Sequence, residues 1–136
     1  MAERKKAEVQ IIDALKADTD IMRMTKGNIF QFFAPTNTQG HSDVFIVVNR
    51  YESVPIDRTF SNDISLLRVK VEIVIYSKEY QHSIKAIECV REILDRDINT
   101  KYIGSNDGEI GLDPVEVSNA TWIPFRLDYQ VMERLF

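Results

Sequence analysis

The clearest alternation of apolar and polar side chains runs from Leu66 to Tyr76. Leu67, Val69, Val71, Ile73 and Ile75 share one parity, and Arg68, Lys70 and Glu72 share the other. This is the period-two pattern of a strand with one buried and one wet face. After Ser77 the period lengthens. Tyr80, Ile84, Ile87 and Leu94, joined by Val90 and Ile93, recur at helical spacing and predict a helix over about 79–97. A second alternation closes the chain: Ile123, Phe125, Leu127, Tyr129 and Val131 face one way, with Arg126, Asp128 and Gln130 opposite. Pro124 falls at the start of that strand, where a missing amide costs little.

The other elements follow from shorter patterns. Val9, Ile12 and Leu15, widened by Ile11, predict an N-terminal helix over about 2–17, with Asp18-Thr19-Asp20 as its exit and a turn. Thr25-Lys26-Gly27-Asn28 is a second turn, feeding a short strand Ile29–Phe33 that Pro35 stops. The first five residues of Val44–Tyr51 are apolar without a break, which predicts a central strand covered on both faces. Val54 and Ile56 could prolong it, although Pro55 confines any such extension to a sheet edge. Short strands are expected near 97–104 and 113–118. The polar segments 34–43, 57–64 and 104–112 read as loops. Because several strands follow one another with no helix between, the sheet is expected to be antiparallel. The reading is one α+β domain over 1–136: an antiparallel sheet of about four to six strands, the 79–97 helix on one face, and the N-terminal helix.

Composition changes this picture little. A chain of 136 residues, 44% apolar and 28% charged, is ordinary for one soluble globular domain. The net charge of −4 argues against a duplex-binding module, which needs a basic surface. With Cys89 alone there is no intrachain disulfide and no cysteine-based zinc site. No apolar run reaches the roughly 18 residues of a membrane span, and the charged Met1–Glu8 stretch lacks the apolar centre of a signal peptide. Cytosolic residence is the expectation.

Candidate chemistry is sparse. His41 and His82 lie far apart, and only His41 has a near carboxylate, Asp43, so no metal-ligand spacing emerges. Cys89 sits inside a regular helix with nothing beside it to lower its pKa, and reads as a small core residue. The glycines from Gly104 to Gly111 are acidic in context and lead to a strand, unlike a phosphate cradle. Phe30, Phe32, Phe33, Trp122 and Phe125 lack interleaved Lys or Arg and read as core in place of a base-stacking platform. Trp122 is the exception: it falls on the parity opposite Ile123, so it is expected to be exposed and to anchor an interface. Glu3-Arg4-Lys5-Lys6 is either a solvated first turn or a contact arm. The candidate interface residues are Arg4, Lys5, Lys6, Pro35, Asn37, His41, Asp57, Arg58, Phe60 and Trp122. Catalytic, cofactor and metal residues are none. A small sheet carrying long polar loops suits a scaffold that presents loops to partners better than an enzyme.

The order of elements carries a resemblance. An N-terminal helix with Ile12 and Leu15 is followed by Gly27-Asn28-Ile29-Phe30, a loop with Pro35, and the strand Phe45-Ile46-Val47-Val48. Then come the Arg68–Ser77 strand, a helix from Tyr80, and a closing strand through Phe125-Arg126-Leu127-Asp128-Tyr129-Gln130-Val131. From about Val9 to Val131 the pattern resembles the tail completion (tail terminator) proteins of long-tailed bacteriophages. It departs at His41-Ser42-Asp43-Val44-Phe45, where many such proteins carry a Pro-Tyr pair.

The resemblance implies a non-enzymatic virion component without cofactors, made in the host cytoplasm. It implies a homohexameric ring that caps the tail tube and contacts the tube protein and a head-completion or neck protein. DNA would pass through the lumen without sequence-specific binding, and there is no membrane partner. An acidic ring would suit that passage. Alternatives are another head–tail connector, head-closure or minor tail protein of similar fold, or, in a different class, a small enzyme or binding module.

Overall fold

A computed structural model describes residues 6–32, 43–58, 64–96, 100–103, 110–111, 114–117 and 120–134. The elements in chain order are α1 (Ala7–Lys16), α2 (Thr19–Thr25), β1 (Ile29–Gln31), β2 (Val44–Arg58), β3 (Ile64–Ser77), α3 (Tyr80–Leu94), β4 (Thr100–Tyr102), β5 (Ile110–Gly111), β6 (Val115–Val117) and β7 (Ala120–Arg134). The sheet runs β1-β2-β3-β7-β4, with β5 and β6 each paired to β7. It is α+β and mostly antiparallel, but β1 lies parallel to β2, with Ile29 opposite Ile46. A purely antiparallel sheet of up to six strands therefore needs correcting.

The apolar parity of each long strand points at the helices. Val69, Val71, Ile73 and Ile75 of β3 align with Ile46 and Val48 of β2 and with Leu127, Tyr129 and Val131 of β7. All are buried, under Ile11 and Leu15 of α1, Ile21 of α2, and Ala86, Ile87, Val90 and Leu94 of α3. Val44–Val48 is buried throughout, as the unbroken apolar run predicts. Its odd-numbered members join a second cluster on the opposite sheet face, where Phe45 and Val47 meet Trp122.

The helices differ from expectation in detail. α1 begins at Ala7, and residues 1–5 lie outside those described. Asp18 not only ends it but caps α2, its carboxylate accepting from the Ile21 N–H at 3.0 Å. The turn at Thr25–Asn28 stands: Lys26 is left-handed at φ 52° and Gly27 follows at φ 81°, a conformation that favours glycine. α3 covers 15 residues, about four turns. Among the described residues no helix is long and apolar enough to cross a membrane.

Candidate interaction surfaces

The sheet has two unlike flanks and one face that no helix covers. On the first flank, β1 pairs only with Ile46–Val48 of β2, so among the described residues the rest of β2 has no strand beyond it. That open stretch holds Pro55 and register shifts between Arg50 and Glu52, Pro55 and Asp57, and Asp57 and Arg58. Proline and bulges blunt an edge against indiscriminate strand addition. Large apolar side chains are nevertheless displayed near it: Phe32 is 58% exposed and Ile56 42%, while Tyr51, 45% exposed, turns its ring over the outer face. Phe32 stands at φ 71°, unusual for a bulky residue, with its N–H donating to the Val48 carbonyl at 3.2 Å. It was expected in the core and is instead a surface aromatic.

The start of α1 lies over this flank. Glu8, 2% exposed, accepts from Arg50 Nε at 2.9 Å and from Gln31 Nε2 at 3.3 Å. The same Arg50 reaches Glu133 of β7 at 2.5 Å. Lys6, just before the helix, is exposed.

The second flank is built by β4 and α3. Tyr129 donates to Asp95 at 3.0 Å, and the Arg91 guanidinium lies 3.8 Å over the Tyr102 ring. Burial first, then the hydrogen bond to Asp95 and its charge, push the Tyr129 phenol well above its ordinary range. Along the exposed side of α3 runs a cleft of about 450 Å³ lined by Ile84, Ile87, Glu88, Arg91 and Asp95. Its floor is apolar, and its rim carries Glu88, Asp95 and Arg91, the last two paired at 3.3 Å.

The face away from the helices carries alternating charge. Arg126 bridges Glu72 at 3.3 Å and Asp128 at 2.7 Å, Lys70 meets Glu52 at 3.0 Å, and Asn49 donates to Glu72 at 3.3 Å. The Tyr51 ring lies beneath Arg126, at 5.1 Å. The hydrogen bond to Asp128 is the largest cause holding the Arg126 guanidinium above its usual pKa. Arg68 and, on β4, Lys101 opposite Gln130 add further cations to this face.

The sequence-derived interface residues are scattered. Arg4, Lys5, Pro35, Asn37, His41 and Phe60 lie outside the described residues. Lys6 is on the first flank. Asp57 and Arg58 belong to the end of β2, not to a loop over 57–64, because β2 and β3 pair as far as Arg58 opposite Ile64. Trp122 corrects the reading most sharply. It is 1% exposed, edge-on to Phe45 at 4.8 Å with Lys78 5.1 Å from its ring centroid. Its parity does face away from the helices, but that end of the outer face is itself an aromatic cluster, with Phe45 stacked on Tyr76 at 4.5 Å. Pro124 is likewise interior: β7 starts at Ala120, and Pro124 is buried opposite Tyr76. The loop expected over 104–112 contains β5, and residues 104–109 and 112 lie outside those described.

Sequence reasoning missed Phe32, Tyr51 and the α3 cleft. The only signal for the cleft was the spacing of Ile84, Glu88, Arg91 and Asp95 on one side of the helix. Cys89 is half-buried, and burial, aided by Asp20 and Asp18, pushes its thiol up, away from nucleophilic use. Among the described residues no group of three or more His, Cys, Asp or Glu could hold a metal ion. Compared with family models and with curated proteins, the chain matches none.

Proposed function

We propose that this chain is a structural ring component of a bacteriophage tail, a tail completion or terminator protein that caps the tail tube beneath the neck. The observation that carries the reading is the dissimilarity of the two sheet flanks. A closed ring is a heterologous assembly, in which each subunit offers two different complementary patches. Here one flank is an edge bearing Phe32 and Ile56, and the other a helix cleft floored by Ile84 and Ile87. The resemblance in element order supplies the tail, the tube and neck partners, the hexamer and the virion setting. The net charge of −4 suits a ring through which DNA slides. No catalytic role is assigned.

Native mass spectrometry of the purified chain is the test. A hexamer supports the ring, while a strict monomer at millimolar concentration overturns it. A dimer with twofold symmetry would also overturn it, because an isologous contact uses one patch only.

A further inference from the structure

We infer that the small cavity between the end of α2, the start of β2 and the first turn of α3 binds a protonated oxyanion, monohydrogen phosphate. The site stands apart from the ring reading, because it uses neither the open edge of β2 nor the α3 cleft.

The space limits the ligand. The cavity holds about 150 Å³ and is lined by Arg23, Met24, Lys26, Asp43, Val44 and His82. That is well below the roughly 300 Å³ from which pockets for larger organic ligands start. It suits one tetrahedral ion and excludes a nucleotide. Three elements converge to build it. Lys26 is the left-handed residue that ends α2, with Arg23 in the last turn before it. Asp43 is fixed at the start of β2, where its carbonyl accepts from the Lys78 N–H at 3.3 Å. His82 stands in the first turn of α3.

The polar groups around this space are unsatisfied. His82 Nδ1 is shut away from solvent and has no hydrogen-bond partner among the described residues. Its Nε2 lies 3.9 Å from Glu79, too far for a hydrogen bond. A ring nitrogen buried without a partner is costly, and a protonated Nδ1 donating to a ligand oxygen removes that cost. Lys26 forms no ion pair among the described residues. Arg23 has only an exposed contact with Asp20 at 3.8 Å, of a kind worth little. α3 opens without a side-chain cap, so the partial positive charge of its first amides adds to the attraction for an anion.

Asp43 sets the selectivity. It too lacks an ion pair among the described residues, and an ionised carboxylate can only accept. It therefore repels sulfate, which carries no proton near neutrality, and accepts the one proton that monohydrogen phosphate retains.

The test is equilibrium dialysis of the full chain against radiolabelled inorganic phosphate in mildly alkaline buffer at constant ionic strength, with sulfate as competitor. One phosphate per chain is expected to bind saturably, and sulfate about tenfold more weakly. His82→Ala and Lys26→Gln are each expected to weaken phosphate binding about tenfold. Asp43→Asn is expected to erase the preference by admitting sulfate. Lys26 and Asp43 are exposed, so their variants keep the test decisive even where His82→Ala disturbs the fold. Binding that never saturates, equal binding of the two anions, or binding indifferent to Lys26→Gln and Asp43→Asn would overturn the site. The oligomeric state, read separately, decides the ring.

Discussion

At the scale of single residues, Arg50 is the side chain on which most depends. One guanidinium binds Glu8 from α1 and Glu133 from β7, and both carboxylates are almost wholly buried. Replacing it by methionine leaves two carboxylates facing each other without a cation. Arg50→Met is expected to cost about 3 kcal/mol in urea unfolding. An unchanged midpoint would show that the triad contributes nothing. Tyr129 sets the alkaline limit. Its pKa in the folded chain is raised above the ordinary 10.0 of the unfolded chain, as are those of Tyr51 and Tyr76, chiefly by burial. The folded state thus holds the phenolic protons more tightly. That stabilisation is complete below about pH 10 and is lost as pH rises through the folded-state values. Urea midpoints are expected to stay level up to about pH 9 and to fall above pH 10. Tyr129→Phe should cost about 1 kcal/mol near neutrality, through the lost bond to Asp95, and should fall less steeply in alkali.

At the scale of elements, the parities of β3 and β7 were legible because a half-buried strand writes its burial directly into every second residue. Arg68, Lys70 and Glu72 are indeed half-exposed while Val69, Val71 and Ile73 are buried. α2 was not legible. Its seven residues are too short to display a helical period, and Asp18 reads equally well as the end of one helix and the cap of the next. Asp18→Ala should cost about 1 kcal/mol if that cap holds α2 in place. Loss of helical circular dichroism without a stability change would instead place α2 outside the cooperative unit. Parity alone points Trp122 to solvent, but one end of the outer face is itself an apolar cluster. Phe45 and Tyr76, which cover it, belong to strands whose register against β7 cannot be read from local pattern.

At the scale of the whole molecule, the same limit hid the row of residues that crosses the sheet from β2 to β4. Arg50 and Tyr102 are far apart in sequence, and only the pairing of β2, β3, β7 and β4 puts them in one row. The loops to which sequence reasoning assigned partner contacts fall largely outside the described residues, and the described surface shifts attention to an edge and a cleft. The central place of β3 has one more consequence, in time. Its first neighbour, β2, is made just before it, but its second is β7, which begins at Ala120, long after β3 ends at Ser77. During synthesis β3 therefore waits with one side unpaired and Val69, Val71, Ile73 and Ile75 only partly covered. A chain stopped at Ser118 should accumulate in the insoluble fraction, whereas the full chain stays dispersed. Comparable solubility of the two would mean that β2, β3 and the helices already form a self-sufficient core.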